Sequence, residues 1–329
     1  MARSLTPNDI KRLAFSRFLY QEGIKHSRLP HPLSSTALLS FHDAVENFLG
    51  LTAEFLGVEV DPKISFMQYW GEVKAKTKIE LPGRASMTKL NNARVSLKHH
   101  GHFPTTETIE QSRVQVVNFF NAAAPVVFNI DFDTVDMVDL VTQPEVGQLL
   151  REAQTHADIG DYSAAMAGLK MAFTELLRHY GGRVSMSSAQ QTPFAFGPRE
   201  PAFFKPRGHP ELNELAAQVT YLRTVAQELR EAIQMTSLGI DYPNYGRFAA
   251  LVPPVHGYHN GEHRWYATKD DDRLTAENYS SCRLFVIEST LQAARADEVL
   301  DLLQTQADAD RHPSGEYVER TWTGPAEAS

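Results

Sequence analysis

Residues 37–56 read ALLSFHDAVENFLGLTAEFL. Leu38, Phe41, Val45, Phe48, Leu49 and Phe55 return at three- and four-residue steps, the period of a helix with one buried face. His42, Asp43, Glu46 and Asn47 are interspersed along it. Ser34, Ser35 and Thr36 stand just before the stripe and offer N-cap oxygens. A helix this apolar on one side needs partners with similar stripes, so the question is whether the chain supplies them.

It does, on both sides. Upstream, Ile10, Leu13, Ala14, Phe18 and Leu19 predict a helix from Pro7 to about Gly23, with the glycine placed as its stop. Downstream, a helical region holding Phe66 and Trp70 runs from Ser65 to Lys76 and is broken by Pro82 and Gly83. A further segment runs from Ser86 to Gly101, and another from Thr106 to Ala123, ended by Pro125. Residues 126–143, with several Asp side chains among apolar ones, read as a linker. A second round follows: Val146–Ile159, Tyr162–Tyr180, the strongly periodic Glu211–Gln234, and Thr275 to about Gln304. Residues 183–210 read as a loop, and 241–272 as irregular.

The two rounds resemble each other. Residues 43–49 pair with 171–177, Gly23 with Gly160, and 111–123 loosely with 280–293. The predicted fold is therefore all-α: two tandem four- to five-helix bundles, residues 1–125 and 144–305, followed by a polar, disordered tail over 306–329. The second copy reads as degenerate, because Thr174 occupies the position of Glu46, and Pro253 and Pro254 separate Arg247 from His256.

Composition narrows the function. The chain has 329 residues, 42% hydrophobic and 22% charged, as in ordinary globular proteins. No apolar run reaches about 18 residues, and residues 1–11 lack an apolar signal core, so the expectation is a cytoplasmic protein with no membrane partner. A single cysteine, Cys282, excludes an internal disulfide and a multi-cysteine zinc site. No metal or cofactor motif stands out; His256, His259 and His263 match no mechanism-bearing spacing. The net charge of −8 argues against broad nucleic-acid binding, yet it is unevenly spread. Lys74 to His102 holds seven Lys and Arg against Glu80 alone, and the rest of the chain carries −14.

Within that basic stretch, residues 90–101 read LNNARVSLKHHG. Arg94 and Lys98 share a helix face at four-residue spacing. His99 lies one step round and reaches Arg94's side only if the helix loosens before Gly101. This stretch resembles the HEPN superfamily, whose members are helical bundles of about the size of residues 1–125. Many carry an arginine followed after four to six residues by a histidine, with upstream asparagines and a Lys-His-x-Gly ending. Asn91, Asn92, Arg94, Lys98, His99 and Gly101 fit that pattern, and Ala44-Val45-Glu46 supplies the Ala-x-Glu step of the earlier helix. His100 fits the alternative five-residue spacing. One departure is Val95, where catalytic members often have a polar residue.

The resemblance implies a metal-independent endoribonuclease, of the kind found among toxins and phage-defence effectors. A histidine takes the proton of a ribose 2′-OH, and an arginine meets the charge of the phosphorane. Catalytic roles fall to Arg94, His99 or His100, Asn91, Asn92 and Glu46, the last expected to pair with Arg94. Lys98 and Lys89 are the substrate-binding cations. RNA is the expected partner, with an antitoxin-like protein as another, and a homodimer or pseudo-dimer the expected assembly. The alternative is a non-catalytic module that binds a nucleotide or a protein. An assembly role for the Glu211–Gln234 helix is a third reading, and it requires an exposed apolar stripe.

Overall fold

The computed structural model describes residues 4–181, 192–196, 213–257, 262–266 and 271–311. They form an all-α protein with one two-stranded hairpin. The chain divides into two compact units, 1–141 and 142–329. Among the described residues no helix is long and apolar enough to cross a membrane.

The first unit is built from α1 (Pro7–Ser27), α2 (Ala37–Phe55), α3 (Tyr69–Thr77), α4 (Arg84–His100) and α5 (Thr106–Phe128). α1 starts in a capping box: the Asp9 amide donates to Thr6 Oγ1 at 3.2 Å, and the Thr6 amide donates to Asp9 Oδ2 at 2.8 Å. Gly23 is not the stop the sequence suggested. α1 runs four residues past it, and the Phe41 ring of α2 lies against it. A Cβ at Gly23 would come within 2.4 Å of Phe41 Cδ1, so glycine permits close approach of the α1–α2 pair.

Phe48 sits at the centre of this unit's core. Phe119, Phe120 and Phe128 present T-shaped contacts at 5.3–5.5 Å between centroids, and Phe132 lies at 6.2 Å. Two of these partners correct the expected boundaries. α5 continues through Pro125 to Phe128. Pro125 lacks the amide that would bond the Asn121 carbonyl, and both residues are exposed, so that carbonyl is free to turn to solvent. Residues 126–141 are not a linker, since Val127, Phe128, Phe132 and Val135 belong to the core. The Asp side chains there cap short 3₁₀ turns: Asp131 accepts from the Asp133 amide and Asp136 from the Val138 amide, each at 2.9 Å.

The second unit contains α6 (Pro144–Asp158), α7 (Tyr162–Gly181), α8 (Asn213–Ser237), α9 (Tyr242–Leu251), α10 (Ala276–Ala293) and α11 (Asp297–Arg311). Between α9 and α10 lies the hairpin of β1 (Val255–Gly257) and β2 (His263–Trp265), antiparallel with His256 opposite Arg264. The stretch 241–272 is thus more regular than the sequence suggested: Asp241 accepts from the Asn244 amide at 3.0 Å, and Pro243 sits in the first turn of α9, where its missing amide costs nothing. α11 reaches Arg311, past the predicted end at 305, and the expected tail from 312 onward lies outside the described residues. The predicted loop 183–210 falls almost wholly outside them too. Phe173 packs on Tyr245, Phe248 and Phe285 at the heart of this unit. α8 leaves Leu215, Tyr221, Leu222, Leu229 and Ile233 exposed along one helix.

A polar clasp closes the unit. Gln143 donates to the Tyr180 hydroxyl at 2.6 Å, and that hydroxyl donates to Asp297 at 2.6 Å. Burial, then the Asp297 hydrogen bond and charge, raise the Tyr180 phenol above its ordinary value, against a smaller lowering by Gln143. A raised folded-state value means that the stabilisation is fully present below the unfolded tyrosine's value near 10 and declines as pH rises above it. Tyr180→Phe is expected to cost about 1–3 kcal/mol by leaving Gln143 and Asp297 without this partner. Urea titration at pH 7 and pH 11 checks it: the variant should lose stability at pH 7, and the gap should narrow at pH 11.

Candidate functional site

α4 places the sequence-derived residues. Met87 and Leu90 anchor it to the core, and the rest of the helix is partly buried or exposed, with its last three residues all exposed. It holds no acidic side chain, whereas Arg84, Lys89, Arg94 and Lys98 are all cationic. Lys74 and Lys76, by contrast, are paired with Glu80 and Glu72. Apart from Lys78, which ends α3, the cations of the basic stretch left without an ion pair among the described residues are those of α4. Its last turn, Lys98-His99-His100, also faces the carbonyl end of the helix, where positive charge stabilises the helix, so part of this charge has a structural use.

The helix remains regular through His100 and ends at Gly101 in the left-handed region, φ 67°. The amides of Gly101 and His102 close on the carbonyls of Leu97 and Ser96. No loosening turns His99 toward Arg94. At about 100° per residue, Arg94 and His99 point about 140° apart, and His100 about 120° to the other side. Arg94, Lys98 and Asn91 share one face. Lys89, Asn92, Lys98, His99 and His100 are exposed; Arg94 is partly buried.

Arg94 is the unusual member. Its Nε is buried without a hydrogen-bond partner, and among the described residues its guanidinium has no ion pair. The expected pairing with Glu46 is absent. Glu46 on α2 lies instead 3.7 Å from Nδ1 of His42, and Asp43 lies 3.8 Å from the same atom. Asn91 does orient an imidazole, but that of His42: Asn91 Oδ1 is 3.2 Å from His42 Nε2. The Phe66 ring stacks on His42 at 4.2 Å. The Glu46 charge is also felt by Tyr69, whose phenol is raised first by burial and then by that carboxylate.

His42 is thus the residue that sequence reasoning passed over. It lies one turn before Glu46 on the decisive helix, but the asparagine that holds it is 49 positions away. In the second unit, Arg247 sits exposed on α9 and His256 on β1. The aromatic and cationic residues Phe203, Phe204, Lys205 and Arg207 lie outside the described residues.

Comparison with protein-family models, curated proteins and solved structures gives no match.

Proposed function

We propose that the chain is a metal-independent endoribonuclease of the HEPN kind, with Arg94 and His99 as its reacting pair. The observation that carries this is the partly buried guanidinium of Arg94, whose Nε has no hydrogen-bond partner among the described residues, on an acid-free helix that ends in exposed histidines. A buried guanidinium atom without an acceptor is costly, and a phosphate offering two oxygens would relieve the cost. Lys98 on the same face and Lys89 add attraction for the backbone of an RNA strand.

In this reading His99 removes the 2′-OH proton, and the 2′-oxygen attacks the adjacent phosphorus. The bond from phosphorus to the 5′-oxygen breaks, and that oxygen leaves with a proton supplied by His100 or water. The products are a 2′,3′-cyclic phosphate and a 5′-hydroxyl. Arg94 holds the charge of the phosphorane throughout. Because Arg94 and His99 point apart on one helix, the reading includes a symmetric dimer in which Arg94 of one copy meets His99 of the other. The biological setting, a toxin or phage-defence effector held in check by a protein partner, follows from the family resemblance.

The test is incubation of the purified chain with end-labelled mixed RNA in EDTA. Cleavage leaving cyclic-phosphate ends, with single-stranded DNA untouched for want of a 2′-OH, is the expected result. Intact RNA in the presence of folded protein would overturn the reading and favour a binding module, with the exposed face of α8 the first surface to probe for a protein partner.

A further inference from the structure

We infer that His42, Asp43 and Glu46 form a binding site for a divalent transition-metal ion of the zinc type, distinct from the Arg94–His99 pair of the proposed nuclease. The three side chains occupy positions i, i+1 and i+4 of α2, and one ligand atom from each falls within 4.8 Å of the others. Two exposed carboxylates alone would say little. The decisive feature is His42, which is only 2% exposed yet leaves Nδ1 with no hydrogen-bond partner.

The chemistry of that nitrogen follows from its surroundings. Asn91 Oδ1 is an acceptor only, so His42 Nε2 must donate the proton across the 3.2 Å contact. In the neutral imidazole the lone pair then sits on Nδ1. It faces Asp43 Oδ1 at 3.8 Å and Glu46 Oε2 at 3.7 Å. These separations are too long for a hydrogen bond, and a metal ion between the lone pair and the two carboxylates would turn a repulsive arrangement into an attractive one. Ligand atoms around a tetrahedral zinc ion stand about 3.3 Å apart, so small rotations of the two exposed carboxylates would close the site.

The remaining groups around the imidazole suit the same role. An acceptor on the far ring nitrogen is the usual means of fixing a metal-binding histidine's tautomer, and Asn91 supplies it. Phe66 stacked on the ring holds its plane. Tyr69 contributes no competing charge at neutral pH, since its phenol is raised. One nitrogen with two carboxylate oxygens favours zinc or manganese over the oxygen-preferring magnesium and calcium ions. Three protein ligands leave a coordination position open to water.

The test uses the full chain stripped with EDTA, dialysed, and titrated calorimetrically with Zn²⁺. One equivalent is expected to bind. Glu46→Gln and Asp43→Asn alter exposed side chains and should preserve the fold; each should weaken binding at least ~10-fold, and Asn91→Ala about 10-fold through the tautomer. Nitrogen-15 NMR should show the His42 Nδ1 signal moving on zinc addition while Nε2 keeps its proton. Absence of binding would overturn the site. So would an equivalent that survives the Asp43→Asn/Glu46→Gln double variant and disappears in His100→Ala/His102→Ala, the neighbouring pair of exposed histidine rings. RNA cleavage in EDTA is read separately, so either proposal can fail alone.

Discussion

His99→Ala is expected to lower RNA cleavage by about 10²–10⁴-fold, the usual contribution of a positioned acid–base group. Arg94→Ala should lower it by about 10²–10³-fold, as loss of one oxyanion partner does elsewhere. Both residues lie on a helix anchored by Met87 and Leu90, and neither contributes to that anchor, so folding should be unaffected. The two variants also report where the site is completed. If Arg94 of one copy works with His99 of another, mixing the two inactive variants restores one complete site in each mixed dimer. Random exchange would then return about a quarter of the parental activity. A mixture as inactive as its components would show that the pair acts within one chain or that the site is elsewhere. Parental activity in either single variant would remove that residue from the mechanism.

Phe48→Ala is expected to destabilise the first unit by about 3–5 kcal/mol. The ring is fully buried, and four other phenylalanines pack against it, drawn from α5 and the 3₁₀ turn after it. Their rigid rings cannot collapse into the space it leaves. The loss is comparable with the whole stability of many small domains. Urea denaturation followed by circular dichroism should therefore show the first unit's transition moving to much lower denaturant, with the second unit's transition in place. Equal movement of both would mean that the two units unfold as one. A shift worth less than about 1 kcal/mol would mean that the core around Phe48 is looser than described.

Much of this architecture was legible in the sequence because it depends on apolar period. Residues 37–56 and 7–23 announced two packed helices, and the all-α class followed from them. What misled was punctuation. A glycine that stops a helix and one that admits a neighbour's ring look alike in sequence, and Gly23 is the latter. A proline removes one helix hydrogen bond without always ending the helix, and α5 runs three residues past the exposed Pro125. The Asp residues of 126–143 suggested a solvated linker, whereas their local role is to cap turns that press Phe132 into the core. The candidate site divided the same way. The cationic helix was readable from composition. The imidazole held by Asn91 was not, since no local pattern joins residue 42 to residue 91.

The lone thiol has a use that follows from its burial. Cys282 on α10 is 2% exposed, and desolvation pushes its pKa up to about 11. An alkylating or disulfide reagent therefore finds neither a thiolate nor a path to it while the second unit is closed. Each modification event must wait for an opening, so the labelling rate, divided by that of a free cysteine, counts how often this part of the chain breathes. With no second cysteine to confuse the signal, the protein carries its own stopwatch for local unfolding, already placed on a buried face of α10.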